Sequence, residues 1–180
     1  MPATVDAGFV RMRVSKVTAL GEPGENVSHH DDLSHYVVLD ELNGDRHLLI
    51  LIGPTEAFGL AATLGGTQWR RPMTYQFAVA LVQSLGGRVR VVRIDRVAHG
   101  TYAATVEVEG LLGAQSVDAR ASDALNVAAV TSAPVFVSPE VIDDSRSRQE
   151  DDSPEAELLR LALTVPQMTI TRDLPRRETH

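Results

Sequence analysis

The chain has 180 residues, a mass of 19.5 kDa and a formal net charge of −7, and 43% of its residues are hydrophobic and 23% charged. This size and composition fit one soluble globular domain with tails and exclude a disordered or fibrous protein. The lack of cysteine excludes disulfides, thiol nucleophiles and cysteine-ligated metal sites. No apolar run is long enough to span a bilayer, and Arg11, Arg13 and Lys16 interrupt the region where a signal peptide would be apolar. We therefore expect a cytoplasmic protein without a membrane partner.

The first elements predicted along the chain are strands. Residues 9–17 alternate apolar and polar side chains with the period of two that a half-buried strand requires. After a polar loop at residues 21–32, two apolar runs at 35–42 and 46–52 flank Asn43-Gly44. Asn-Gly favours a tight turn in which both residues have positive φ, so a β-hairpin is predicted here.

Three helices are predicted in the middle of the chain. Pro54 suits the first turn of a helix that continues to Leu64, and Thr74 can cap a second helix. Ser122 can cap a third helix that continues to Thr131. In the second helix, apolar residues recur at spacings of three and four and predict a stripe that faces the core: Phe77, Ala78, Leu81, Val82 and Leu85.

Further strands follow the second and third helices. Residues 88–97 and 101–109 form a β-rich pair, residues 115–119 can add a strand, and residues 134–137 give a short final strand. The interspersed helices and hairpins predict a single compact α+β domain over residues 9–142. It has a mainly antiparallel or mixed sheet and about three helices.

The C-terminal region, residues 143–180, is predicted to be a flexible acidic tail. Residues 140–160 contain eight acidic residues against three arginines. We interpret Ile142 to Asp152 as a linker and expect residues 172–180 to be disordered. Ser153-Pro154-Glu155 predicts the start of a short helix over residues 154–164.

The middle of the chain resembles the bifunctional nuclease domain family. The order and spacing of four segments carry the resemblance. They are followed at residues 133–137 by a small residue, a proline and a strand, as in the family. The segments are Leu49–Ala57, Arg71–Thr74, Leu85–Val89 and Val117–Leu125. The resemblance implies a compact α+β domain that self-associates and acts as a nuclease on RNA and DNA.

The sequence departs from the family pattern at two positions. Family members usually follow the Arg-Pro-x-Thr segment with His-Asp, whereas this chain has Tyr75-Gln76. Any chemistry that depends on that His or Asp would be lost. The family's Arg-Pro-Ser-Asp appears here as Arg120-Ala121-Ser122-Asp123, which keeps the polar groups.

Hydrolysis of a phosphodiester needs an activated water and a positive charge that neutralises the phosphate. Within the family-like segments, three carboxylates are both candidate catalytic residues and candidate ligands for Mg or Mn. One arginine is a further candidate catalytic residue. They are Glu56, Asp118 and Asp123, with Arg120. The candidate substrate-binding residues are Arg71, Thr74, Ser122 and Arg88.

A structural interpretation of the same residues stays open. Glu56 and Asp123 can simply stabilise the first turns of helices, Ser122 can be an N-cap, and Arg120 can pair with Asp118 or Asp123. The geometry decides: a metal site requires Glu56, Asp118 and Asp123 to converge.

Two other groups of charged residues have the composition of a binding site. Arg88 and Arg90 should lie on one face of a strand and Arg93 on the other. With Arg96, these arginines could bind a row of phosphates or could simply solvate the edge of the sheet. The cluster His29-His30-Asp31-Asp32 has metal-binding residue types but lies in a loop without the spacing that makes ligands converge. We therefore do not assign it a metal.

Two functions follow from the sequence. The first is a nuclease-family domain that binds nucleic acid and hydrolyses phosphodiesters with a divalent metal. The alternative is a catalytically silent oligomeric module that binds a protein, a ligand or nucleic acid through the same surface. A homo-oligomer is expected in both cases, from the resemblance and from the open sheet edge that an α+β domain offers.

Overall fold

The computed structural model describes residues 8–21, 33–98, 101–111, 113–150, 154–165 and 167. The predictions made for residues 22–32, including the histidine cluster, and for residues 172–180 lie outside these ranges. Within them, the chain forms one seven-stranded mixed sheet with five helices. No helix in the described ranges is both long and apolar enough to cross a membrane.

The sheet consists of two antiparallel three-stranded meanders joined by a short strand, in the order β3-β2-β1-β7-β4-β5-β6. The short strand β7 is antiparallel to β1 and parallel to β4. The predicted α+β class and mixed sheet are confirmed. The strands are β1 (Val10–Gly21), β2 (Leu33–Glu41), β3 (His47–Ile52), β4 (Arg88–Ala98), β5 (Thr101–Gly110), β6 (Gly113–Arg120) and β7 (Val135–Val137).

The helices cover the two faces of the sheet unequally. Helices α1 and α3 pack on the face that carries the main core, and α2 packs mainly on α3. Helix α4 contacts β3 and β4, and α5 contacts β1 and β2, where it buries Ala162 against Tyr36 and Val38. The helices are α1 (Pro54–Leu64), α2 (Thr74–Ser84), α3 (Ala121–Thr131), α4 (Pro139–Glu150) and α5 (Pro154–Thr164).

The hairpin between β2 and β3 is confirmed, but its turn differs from the predicted one. The Glu41 N–H donates to the Arg46 carbonyl at 3.0 Å, which encloses four residues, and neither Asn43 nor Gly44 has positive φ. The Glu41 carboxylate binds the Arg46 guanidinium through two hydrogen bonds of 2.7 Å and occupies the space where a Cβ on Gly44 would lie. The wider turn accommodates this ion pair.

The predicted linker from Ile142 to Asp152 is wrong for residues 142–150, which belong to α4. Ser138 Oγ accepts a hydrogen bond from the Val141 N–H at 3.3 Å, and Val141 and Ile142 are buried in the main core. Ser145 is also buried, and its Oγ accepts a hydrogen bond from the Leu49 N–H of β3 at 3.3 Å. Two buried aliphatic side chains, a cap and the hydrogen bond to β3 therefore hold this acidic segment against the domain.

The expectation that the apolar stripe of α2 faces the core is wrong. Val79 is the buried residue of this helix and Val82 is half-buried, whereas the other stripe residues are exposed, up to 77% for Leu85. The reason is that α2 contacts the rest of the described chain through one side only, mainly on α3. We call the exposed set the α2 apolar surface: Phe77, Leu81, Leu85 and the neighbouring Leu111, which follows β5.

The predicted division of the β4 arginines between two faces is also wrong. Register shifts between Val89 and Val91 and between Ile94 and Arg96 each insert one extra residue into β4. Each bulge changes the alternation of side chains by one position. As a result, all four arginines lie on the face that carries Glu107 and Glu109 of β5, away from the main core.

Candidate functional site

The first turns of α1, α2 and α3 meet at one corner of the domain. Four side chains interact there, and we call them the three-helix cluster: Glu56, Tyr75, Arg120 and Asp123. Glu56 and Asp123 lie in the first turns of α1 and α3, where a helix dipole favours negative charge, and Arg120 is the N-cap of α3. The local signals that begin the helices therefore also bring the charged groups together.

Arg120 connects the two carboxylates. Its Nε donates to Asp123 Oδ2 at 2.7 Å, and its Nη2 donates to Asp123 Oδ1 at 3.0 Å and to Glu56 Oε1 at 2.7 Å. The hydrogen bonds from Arg120 to Asp123 and then to Glu56 raise the pKa of the guanidinium further above its usual range. The Arg120 side chain is nevertheless 62% exposed, so the guanidinium is positively charged and open to solvent.

Tyr75 supports the same pair from α2. Its hydroxyl donates to Asp123 Oδ1 at 2.8 Å. Burial, followed by this hydrogen bond, raises the pKa of Tyr75, so the phenol remains protonated at neutral pH. Partial burial raises the pKa of Asp123, but hydrogen bonds from Arg120 and Tyr75 outweigh it and leave that pKa below its ordinary value. Asp123 is therefore an ionised acceptor at neutral pH.

Close packing between the helices fixes the cluster. Asn126 of α3 is buried, and its Nδ2 donates to the Glu56 carbonyl at 3.1 Å and the Ser122 carbonyl at 3.0 Å. A Cβ on Gly59 would lie 2.9 Å from Asn126 Oδ1 and 3.4 Å from the Tyr75 ring. A glycine inside a helix costs about 1 kcal/mol relative to alanine, and here it allows α1 to approach both neighbours.

The convergence of three carboxylates that a metal site requires is not met. Glu56 and Asp123 come together, but Asp118 lies on β6, where it is 77% exposed and accepts a hydrogen bond from Arg96 at 2.9 Å. Asp118 pairs with Thr105 in the sheet, on the face opposite the main core, whereas α1 and α3 pack on the core side. Arg120 therefore pairs with Asp123, as one of the two structural alternatives predicted, and not with Asp118.

The residues present do not fit the predicted metal site. In the described part of the chain, no three His, Asp or Glu side chains lie where they could jointly hold a metal ion. The two carboxylates that converge are already bridged by a guanidinium, which supplies the positive charge that a cation would bring.

The candidate substrate-binding residues have different positions. Arg88 binds Glu109 at 2.6 Å, Ser122 is buried, and Thr74 is exposed at the start of α2. Neither Ser122 nor Thr74 is the predicted N-cap, because Arg120 and Met73 occupy those positions. Arg71 is exposed in the loop before α2 and forms no ion pair or hydrogen bond with any described residue.

Sequence reasoning missed Tyr75, Asn126 and Gly59. The departure from His-Asp to Tyr75-Gln76 suggested a lost function, yet Tyr75 supplies a hydroxyl to Asp123 and Gln76 Oε1 accepts the Met73 N–H at 2.9 Å. The signal for Tyr75 was its position directly after the family-like segment Arg71–Thr74. Asn126 and Gly59 gave no such signal, because their role depends on how closely the helices approach.

The described residues define an α+β domain with a solvent-open guanidinium held between two carboxylates at one corner. The chain belongs to the bifunctional nuclease domain family, whose model matches residues 37–150. It is also similar to two proteins of Mycobacterium tuberculosis, uncharacterized protein MT1877 of strain CDC 1551 / Oshkosh and uncharacterized protein Rv1829 of strain ATCC 25618 / H37Rv. Each is 32% identical over 119 residues, which cover 66% of this chain and 71% of the relative.

Proposed function

We propose that this nuclease-family domain binds nucleic acid at the three-helix cluster and hydrolyses phosphodiester bonds there. The observation that carries the proposal is the geometry of Arg120. Its Nε and Nη2 hold the two carboxylates, while its Nη1 forms no hydrogen bond within the described ranges. A guanidinium can bind phosphate oxygens and remains charged at every working pH. Arg120 can therefore bind a phosphate without leaving Asp123.

The proposed roles of the other residues follow from their protonation. Asp123 is a weak proton acceptor because its pKa is lowered, so its role is to hold Arg120. Glu56 shares Arg120 with Asp123 and is the remaining carboxylate that could accept a proton from an attacking water. Tyr75 stays protonated and donates to Asp123. A divalent metal, Mg or Mn, remains a prediction, and it would have to displace Arg120 from the carboxylates.

A second candidate function is a catalytically silent binding module. The observation that favours it is that Arg120 hydrogen-bonds to both converging carboxylates, so neither is without a partner in the three-helix cluster. In this alternative, Arg120 binds a phosphate group and no bond is broken. A cytoplasmic location is common to both candidates and stays a prediction of the sequence.

A cleavage assay on labelled RNA and DNA with Mg²⁺, Mn²⁺ or EDTA tests the two candidates. We expect cleavage by the wild type and its loss in the double variant Glu56→Gln, Asp123→Asn. The matched control is Asp118→Asn, Glu140→Gln, which also removes two negative charges, but from exposed positions outside the three-helix cluster. Binding without cleavage under all three conditions would support the silent module. Loss of cleavage in the control variant would contradict the proposed site.

Self-association is part of the proposal. Helix α2 contains no charged residue, and the α2 apolar surface is exposed. Beside it, β6 pairs only with β5 among the described strands and carries two charges, Asp118 and Arg120, without the lysines or prolines that usually protect an edge. A second copy of the chain fits both features, because β6 can pair with itself in antiparallel orientation about a two-fold axis.

A further inference from the structure

An aromatic surface adjoins the three-helix cluster. Trp69, in the loop between α1 and α2, lies against Phe58 of α1 with ring centroids 5.9 Å apart and an angle of 49° between the rings. Trp69 and Phe58 are 38% and 40% exposed, and they line a shallow depression together with Gly59, Met73 and Tyr75. Tyr75 belongs to both sites, since its ring lines the depression and its hydroxyl binds Asp123.

The same loop carries positive charges without counter-charges. Arg70 and Arg71 follow Trp69, and both are exposed and have no ion pair or hydrogen bond with any described residue. Most other arginines in the described ranges are paired, including the four on β4. Arg11 and Arg13 on β1 are exposed and unpaired as well, but they alternate with buried Met12 and so face away from α1. The loop therefore combines free guanidiniums with an open ring surface.

We propose that Trp69, Arg70 and Arg71 form a binding subsite for single-stranded nucleic acid. A base would stack on the exposed indole, and the two guanidiniums would bind the flanking phosphates. The indole would bind single strands, because the faces of paired bases are stacked inside a duplex. A purely apolar partner would leave both guanidiniums without counter-charge. The inference rests on the proposed function, and it adds that the strand enters the three-helix cluster from the α1–α2 loop.

The protein offers a direct probe, because Trp69 is its only tryptophan. The full chain is titrated with labelled oligonucleotides of about 12 nucleotides, as single-stranded DNA, single-stranded RNA and duplex, while anisotropy and tryptophan fluorescence are recorded together. We expect single strands to quench Trp69 with the same midpoint as the anisotropy change. Trp69→Ala should weaken single-strand binding about tenfold, whereas Trp69→Phe should retain most of it.

Salt dependence tests the two arginines. A phosphate contact on a single strand contributes about 0.7 to the slope of log affinity against log salt, so Arg70→Gln, Arg71→Gln should lower that slope by about 1.4. The matched control is Arg11→Gln, Arg13→Gln, which removes two unpaired charges from the other side of the domain and should leave the slope nearly unchanged.

The outcomes separate this inference from the proposed function. Binding with no fluorescence change, and with Trp69→Ala at wild-type affinity, would overturn the subsite and leave nucleic-acid binding intact. The subsite would also be overturned if the Arg70→Gln, Arg71→Gln variant and the Arg11→Gln, Arg13→Gln control lowered the salt slope equally. No binding to any oligonucleotide would overturn both. A Trp69 emission shift that depends on protein concentration alone would assign the surface to a second copy and contradict the inference.

Discussion

The two meanders of the sheet are completed in different ways. The outer strand of the first meander, β3, is covered by α4, and α5 packs across β1 and β2. The outer strand of the second meander, β6, is exposed along nearly its whole length, and the nearby α2 carries an exposed apolar surface. Helices of the same chain therefore cover the first meander, the covered half of the sheet, whereas the outer strand of the second meander, the open half, stays exposed. The proposed binding surfaces lie beside the open half, and mutations should affect the two halves differently.

The largest effect on stability is expected in the covered half. Ile142 of α4 is buried in the main core, so Ile142→Ala should lower the free energy of unfolding by about 2 to 5 kcal/mol. Leu81→Ala on α2 is the matched exposed substitution and should change it by about 0.5 kcal/mol or less. Urea unfolding of both variants at a protein concentration that keeps them monomeric checks this. Equal losses would show that α4 is not part of the core in solution.

The next effect concerns assembly in the open half. Leu81→Asp, Leu85→Asp should shift the protein from an oligomer to a monomer, because charges on the α2 apolar surface would be desolvated in an interface. Leu161 on α5 is similarly exposed, so Leu161→Asp serves as the control. Sedimentation velocity over a range of concentrations measures the result. A wild type that stays monomeric at the highest concentration would contradict self-association.

Arg120 links structure and proposed function. Arg120→Ala leaves two carboxylates near each other without their cation, and we expect a loss of about 1 to 3 kcal/mol in stability together with a clear loss of nucleic-acid affinity. Arg120→Lys keeps the charge but cannot bridge both carboxylates in the same way, so its effects should be smaller. Melting temperature and affinity are measured on the same samples. A stability loss with unchanged affinity of the folded protein would assign Arg120 a structural role alone.

The pH dependence of stability should include a contribution from Asp123. Its pKa in the folded state is below the ordinary value of 3.8, so its ionised form stabilises the fold above that pH. This contribution is lost as the pH falls through the lowered pKa. The difference in unfolding free energy between wild type and Asp123→Asn should therefore shrink on acidification. A difference that stays constant between about pH 2 and pH 7 would contradict the lowered pKa.

The smallest effect is expected for Arg88. It is exposed and shares Glu109 with Arg90, so Arg88→Gln should change stability by about 1 kcal/mol or less and leave nucleic-acid affinity unchanged. Thermal unfolding and anisotropy on one preparation measure both quantities. A marked loss of affinity would show that the β4 arginines bind phosphates although they are paired with carboxylates.

The sequence predicted the elements whose signals are local. The two hairpins, α1, α3 and the helix at 154–164 were recognised from alternation, from Pro54 and Pro154, and from glycines or serines at the ends. Helix α4 was missed although Ser138-Pro139-Glu140 repeats the Ser-Pro-Glu signal at residue 153. Its acidic composition outweighed two apolar residues, and only the tertiary contacts of Val141 and Ile142 reveal why it is ordered.

The three-helix cluster was predicted in part. Glu56, Arg120 and Asp123 do interact, because each lies at the start of a helix on the core side of the sheet. Asp118 does not join them, because it lies within β6 opposite Thr105, where its carboxylate binds Arg96. The pairing of the β4 arginines depends on bulges, and the exposure of α2 depends on what packs beside it. Neither property follows from periodicity in a single sequence.

The position of β7 has a consequence for how the domain is made. This three-residue strand provides the backbone hydrogen bonds between the two meanders, and it follows both of them in the chain. During synthesis, β1 to β3 are complete long before residues 135–137 leave the ribosome, and β4 to β6 form from neighbouring segments. Contacts between distant segments form slowly, because loop closure costs entropy before they stabilise the fold. We therefore expect a nascent chain that ends before Val135 to hold two separate three-stranded units, which become one sheet when β7 is added.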